Sequence, residues 1–293
     1  MTHDHSLALA RQLLDELLAA ARSGALVPVR LPGQIEAVAD ALSQVSGQAE
    51  AAAAPAPPPE MADFLKEQAV FISTAVHELR IPMTSIRGYT DMLNTPGMGE
   101  LSDMQRQFLD VIRANARRME TLLTDVSDVS KLRGGTLRAT AKMDTFRNIV
   151  LRVEKAMQPL ADELGRTLVF DVPQGLPLLN TDGDLLAKAL NKLVENALRY
   201  THDGGHVTLS ASGAGDQLQI TVADDGIGMA ADELAQLGTP YFRSEDEYVR
   251  SYKGSGLGIP VAYGIVALLG GSVQASSQPG QGTTFTLTLP GMS

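Results

Sequence analysis

The sequence contains no cysteine, which excludes a disulfide framework and any thiolate metal site. It also lacks an apolar run of membrane-spanning length. The longest, Ile259 to Leu269, has eleven residues, where a bilayer asks for about twenty. MTHDHSLALARQ, with an early acid at Asp4 and no basic start followed by an apolar core, is not expected to act as a secretory signal. Positive charge is scarce, with Lys+Arg 24 against Asp+Glu 34 and a net charge of -10. That balance counts against nucleic acid or an anionic membrane as the main partner. These absences give the expectation of a soluble, cytoplasmic protein with no membrane span. What is plentiful is apolar residue, at 44% of 293, enough for packed cores and about two domains with connectors.

The strongest local pattern surrounds Phe71 to Ile86, FISTAVHELRIPMTSI. Leu65, Ala69, Ile72, Val76, Leu79, Met83, Ile86 and Leu93 alternate steps of four and three, the spacing of a helix packed along a seam. His77 and Glu78 fall between two seam positions and so project away from the packed face. After the breaker Asn94-Thr95-Pro96-Gly97 a second series follows at Leu101, Phe108, Ile112, Met119, Leu122, Val126 and Val129. Asn115 occupies a seam position too, where a buried amide fixes register. Two narrow seams cannot close a core alone, so pairing of two copies as a four-helix bundle is expected. The hairpin spans 61–134.

Upstream, residues 1–50 read as helical, with one amphipathic stretch at 6–22 and a second stripe at Ile35, Val38, Ala39, Leu42 and Val45. The phrase GALVPVRLPGQIEAVADALSQV resembles the connector and second helix of a HAMP signal-relay module, although Gly33-Gln34 stand where that module has an acidic pair. A generic helical hairpin that aids dimerisation fits the same residues. Residues 51–60 are an Ala/Pro linker.

From 135 to 293 the pattern becomes mixed. Strands are expected at Thr167–Val172, His206–Ser212, Gln217–Ala223, Ser272–Ser276 and Thr283–Leu289, with helices near 145–163, 183–200 and 258–269. Together they predict a two-layer α/β sandwich. Four elements follow one another in this region. Asn196 lies on an apolar helix, Asp224-Asp225-Gly226-Ile227-Gly228 follows a strand, Phe242-Arg243 opens a polar stretch, and Gly254-Ser255-Gly256-Leu257-Gly258 opens a helix. Such a set suits a nucleotide. An Asn oxygen is a fitting Mg²⁺ ligand, and a carboxylate can accept from adenine's exocyclic amine. Glycines admit close backbone approach, and a helix N-terminus presents amides to phosphate.

With these residues assembled, 61–290 resembles the transmitter of a two-component sensor histidine kinase: a dimerisation and phosphoacceptor hairpin, then a GHKL-type (Bergerat-fold) ATP-binding domain. His77-Glu78-Leu79-Arg80 with Pro82 resembles the phosphoacceptor box. Asn196, Arg199 and Tyr200 fall on the Asn box, and Asp224, Gly226 and Gly228 on the first glycine box. Phe242 and Arg243 fall on the phenylalanine box, and Gly254, Gly256, Leu257 and Gly258 on the second glycine box. PGQGTTFTLTLP is similar to the family's closing hairpin. The resemblance implies ATP and Mg²⁺ as cofactors, with Asp224 on adenine and Asn196 on the metal. It implies a lid at 238–256, with Arg243 and Lys253 as phosphate-facing cations. It makes His77 the phosphorylated nucleophile and Glu78 its proton acceptor. A response-regulator receiver domain is the implied partner, because the chain carries no receiver of its own.

Three positions depart from the pattern. Lys192 stands where the family often has a second Asn, four residues before Asn196. Ile81 stands where Thr or Asn would orient water for regulator dephosphorylation. The helix after the second glycine box is uncharged, and Tyr263, Ala267 and Leu269 make it a candidate contact patch. Two other readings remain open. One is a GHKL-type ATPase, which would want a Glu where Lys192 stands; the other is a degenerate kinase serving as a nucleotide-binding scaffold.

Overall fold

The computed structural model describes residues 59–95, 99, 101–252 and 254–291. They form two compact units that divide between Thr136 and Leu137. The expected helices at 6–22 and 35–45, the HAMP-like phrase and residues 51–58 of the linker lie outside the described residues.

The first unit is a helical hairpin of α1 (Pro59–Leu93) and α2 (Asp103–Arg133). Helix α1 begins two residues inside the expected linker. A proline is well tolerated at a first helical position, because its φ is preset and no N–H is needed there. The helix also runs through Pro82, which offers no N–H to the Glu78 carbonyl one turn back. Ser102 starts α2 with a capping box: its hydroxyl accepts from the Gln105 N–H at 3.3 Å, and its own N–H donates to the Gln105 side chain at 2.8 Å. Across the hairpin, Arg87 donates to Glu120 at 2.6 Å and pins the register.

Ile72, Ala75, Val76, Leu79 and Met83 of α1 pack on Ala116, Met119 and Leu123 of α2. Not every expected seam residue enters this core. Leu93, Phe108 and Ile112 are exposed, and Leu123 is buried where Leu122 is only half covered. Each helix offers its single partner one stripe, so residues flanking that stripe have nothing within the chain to pack on. Asn115 is likewise half covered, and its amide donates to the Val111 carbonyl of its own helix at 2.9 Å. In one copy of the hairpin it is therefore not the buried register-setting amide expected from the heptad.

The second unit has a five-stranded sheet with helices on one face. Its strands are β2 (Thr167–Asp171), β4 (His206–Ala214), β5 (Gln217–Asp224), β6 (Ser272–Ser277) and β7 (Thr283–Pro290), in spatial order β2-β4-β5-β7-β6. Only the β2–β4 pairing is parallel. A short antiparallel pair, β1 (Lys142–Asp144) with β3 (Leu179–Thr181), stands apart. Alternation along the strands turns Val207, Leu209, Leu218, Ile220, Val222, Phe285, Leu287 and Leu289 inward, all essentially without exposure. Against them lie α3 (Phe146–Leu164), α4 (Gly183–Tyr200) and α7 (Gly258–Leu268). Asp182 caps α4 by accepting from the N–H groups of Asp184 and Leu185, and Gly165 ends α3 in the left-handed conformation that a side chain resists. Two short helices, α5 (Ala231–Gln236) and α6 (Glu247–Ser251), escape the sequence reading, since five or six residues hold too few turns for a periodic signal. One face of the apolar α7 is core, with Val261, Ala262, Ile265 and Val266 fully buried, while Ala267 and Leu268 are exposed. Tyr263 packs its ring over Gly238, where an added Cβ would sit 3.0 Å from the ring, and burial pushes its phenol pKa up to about 12. No described helix is long and apolar enough to cross a membrane.

Candidate nucleotide site and phosphoacceptor

Asp224 ends β5 beneath the turn that follows it. Its Oδ1 accepts from the N–H of Gly226 at 3.0 Å and from the N–H of Thr283, at the start of β7, at 3.1 Å. Both backbone donors use one oxygen, which leaves Oδ2 for a ligand's donor. Burial is the main cause that pushes this carboxyl up to about 6; the two N–H bonds oppose it and the neighbouring Asp225 charge adds to it. A buried acid with one oxygen in reserve suits the exocyclic amine of adenine.

The glycines around Asp224 are there because backbone passes too close for a side chain. A Cβ at Gly226 would meet the Tyr200 carbonyl at 2.2 Å, and one at Gly228 would meet the Gln278 carbonyl at 1.9 Å. Gly228 also has a positive φ of 64°. A Cβ at Gly282 would likewise run into the Asp224 carbonyl. Ser277 finishes the brace by accepting from the Met229 N–H at 2.8 Å and donating to the Gly282 carbonyl at 2.9 Å. The β6–β7 hairpin thus presses on the Asp224 turn from behind. Gly282, Ser277 and Thr283 were not singled out as site residues in the sequence. Only the PGQGTTF phrase marked this hairpin, and nothing local in it points to Asp224.

Helix α4 brings its last turns to the same place. The Tyr200 carbonyl accepts from the Ile227 N–H at 3.0 Å, so the end of α4 is tied to the glycine turn. Asn196 is partly exposed on this helix. Arg199 donates to Glu195 at 2.8 Å within the helix. Lys192, one turn before Asn196, runs its stem past Gly258 at the start of α7; a Cβ there would sit 3.7 Å from Lys192 Cδ.

The stretch 238–256 is organised by its own backbone. Tyr241 adopts a positive φ of 66° while its N–H donates to the Gly256 carbonyl at 3.0 Å. Gly256 faces the Tyr241–Phe242 backbone, where a Cβ would meet the Phe242 carbonyl at 2.7 Å. Leu257 is buried beneath them. Arg243 donates to three carbonyls, those of Val249 and Tyr252 at 2.6 Å and that of Gly254 at 3.0 Å. Its guanidinium ties the loop together. Lys253 lies outside the described residues.

In the hairpin unit, His77 is 71% exposed and Glu78 about half as much, with His77 Nδ1 and Glu78 Oε1 3.8 Å apart. That separation exceeds a hydrogen bond and can be closed by a small rotamer change. Ile81, one turn further on, is also exposed.

An acid and a glycine cradle at the end of the central strand β5, with a glycine-opened helix N-terminus after them in the chain, fit adenine and phosphates, and comparison with known proteins agrees. Residues 67–135 match the His Kinase A (phospho-acceptor) domain, and residues 181–292 match the Histidine kinase-, DNA gyrase B-, and HSP90-like ATPase family. An uncharacterised sensor-like histidine kinase of Rhizobium meliloti is 33% identical over 83% of this chain and 46% of its own length. The histidine protein kinase DivJ of Caulobacter vibrioides is 31% identical over 76% of this chain and 37% of its own. The chain thus spans less than half the length of these relatives. Among solved structures, full-length ShkA in complex with AMPPNP superposes with a TM-score of 0.65 at 25% identity, over 77% of this chain and 46% of that one. The Acinetobacter baumannii histidine kinase AdeS shares the fold at a TM-score of 0.53 and 22% identity, over 74% and 98%. With an ATP-binding domain behind a phosphoacceptor hairpin, the chain belongs to the two-component sensor histidine kinases.

Proposed function

We propose that the chain is an ATP-dependent protein histidine kinase that phosphorylates His77 and passes the phosphoryl group to an aspartate on a separate response-regulator receiver domain. One observation carries this reading: a solvent-exposed histidine beside an acid shares a chain with a buried carboxylate that keeps one oxygen for adenine. In the transfer, the Nε2 lone pair of the neutral imidazole forms the N–P bond as the bond from the γ-phosphorus to the ADP oxygen breaks. The Nδ1 proton passes to Glu78. Asn196 offers an amide oxygen of the kind that Mg²⁺ accepts, and the ion would neutralise charge on the phosphates. Asp224, with Gly226 and Gly228, holds the base; Arg199 and Tyr200 line the same edge; Gly254, Gly256, Leu257 and Gly258 carry the loop into the helix whose first amides meet phosphate. Phe242 and Arg243 shape the lid, and Lys253 supplies a cation within it. Work as a homodimer through the 61–134 hairpin, in the cytoplasm, completes the reading. A water-activating ATPase is disfavoured because Lys192 cannot serve as a carboxylate base. Incubation with γ-labelled ATP and Mg²⁺ is expected to give an acid-labile, base-stable label on the protein that His77→Gln abolishes. A label that persists in that variant overturns the assignment.

A further inference from the structure

Beyond the nucleotide site, the second unit buries a cation that the phosphoryl-transfer chemistry does not use. Arg166, between the end of α3 and β2, has a side chain only 4% exposed, and its Nη1 pairs with Asp203 at 2.6 Å. Its Nε and Nη2 donate to the Thr201 carbonyl at 3.1 and 2.9 Å. Nη2 also reaches the hydroxyls of Tyr248 at 3.2 Å and Tyr252 at 3.4 Å. The Tyr248 hydroxyl donates to the same Thr201 carbonyl at 2.9 Å. Thr201 caps the C-terminus of α4, where carbonyls lack helical partners and a cation is favoured.

The partners of Arg166 fall into two kinds. Thr201 and Asp203 follow α4 directly and are set by the parallel β2–β4 register, which starts at Thr167 and His206. Tyr248 and Tyr252 belong to α6 and its C-cap, inside the lid stretch. Val249 is the one buried residue of α6, so apolar burial does little to seat this helix. Within the lid Arg243 ties it through the Val249 and Tyr252 carbonyls; toward α4 it is seated by phenol hydroxyls and ring contacts. Tyr248 packs on His202 with centroids 5.2 Å apart, the two tyrosines meet edge-on at 5.5 Å, and Tyr252 meets Tyr200 edge-on at 6.1 Å. Tyr200 closes the helix that carries Asn196. The lid and the nucleotide-facing end of α4 are therefore coupled through one guanidinium and two phenols.

We propose that Arg166 is a positioning residue of the nucleotide reaction: acting through Tyr248 and Tyr252, it latches α6 onto the end of α4 and sets how long nucleotide is held. The latch rests on the reading of the Asp224 edge as the nucleotide site. The bonds to Arg166 are few and polar, so they are reversible; releasing them loosens α6 from the end of α4, while Arg243 keeps α6 tied within the lid and the α4–β2–β4 framework stays intact. Holding time changes more than capture, because the latch closes over nucleotide that has already entered.

Stopped-flow fluorescence with a ribose-labelled ADP on the full chain tests this. A Tyr248→Phe/Tyr252→Phe double variant keeps both rings and loses only the hydroxyl bonds; Arg166→Lys keeps the charge and loses the fork. Both are expected to release the probe about tenfold faster, the loss of one or two hydrogen bonds. Association should change little, and the phenylalanine pair should leave the thermal midpoint in place. Unchanged release in the folded double variant overturns the latch. Faster association with unchanged or slower release overturns it too, since docked α6 would then block entry. A wild-type chain that binds no probe overturns the nucleotide-site reading itself, and the latch with it.

Discussion

At the residue scale, burying Asp224 sets a cost on the fold. An acid whose native pKa lies near 6 against 3.8 binds its proton more tightly folded than unfolded. Its ionisation therefore destabilises the apo protein progressively as pH rises from about 4 to 6, by on the order of 2–3 kcal/mol above that window. On the proposed reading nucleotide runs the other way, because an adenine amine prefers the ionised acceptor. Affinity for adenosine, which has no phosphate to titrate, is expected to be flat above about pH 7 and to fall as pH drops through 6, approaching tenfold per unit. Calorimetry across that range checks it; an affinity indifferent to pH would show that Asp224 does not meet the base. Asp224→Asn adds a second measurement. The amide oxygen can keep the Gly226 and Thr283 donors, which places NH₂ where Oδ2 was, donor against donor. Adenosine binding should be lost while the thermal midpoint at neutral pH holds or rises.

At the element scale, the hairpin of α1 and α2 is complete toward one side only. Phe108 is 60% exposed, and Met104, Val111, Ile112, Tyr89 and Met92 are exposed as well. Burying a large apolar side chain is worth about 1.5–3 kcal/mol, so several together at a two-fold interface can support a stable dimer. Phe108→Glu with Ile112→Lys is expected to shift the protein to monomer in sedimentation equilibrium with its helix content retained. A double variant that stays dimeric would place the interface elsewhere. Heptad spacing in the sequence made these two helices legible, including His77 on the outer face. It could not separate the stripe buried within one chain from the stripe left over, because both repeat with nearly the same period. That is why Leu123 displaces Leu122, and why Asn115 bonds to its own helix.

At the scale of the whole molecule, Ile81 bears on how a signal would end. It is exposed one turn past His77, where a polar side chain would orient water on a regulator's aspartyl phosphate; isoleucine has neither donor nor acceptor. Little phosphatase activity is expected, and Ile81→Thr should accelerate decay of purified phospho-regulator in the presence of ADP and Mg²⁺. A wild-type chain that already speeds the decay strongly would assign the water to another residue, such as the exposed Thr84. By itself the sequence determined the two-part architecture, the five strands of the main sheet and the three longer helices of the second unit, and the acid and glycines that follow β5. Each of these follows from spacing over a few neighbouring residues. Only the tertiary structure decided what stands behind them. The Thr283 N–H reaches Asp224 across 59 residues of chain, and Tyr248 reaches Arg166 across 82. Those meetings depend on the order β2-β4-β5-β7-β6, and local periodicity reports which face a residue takes while leaving open which distant strand or loop that face will meet.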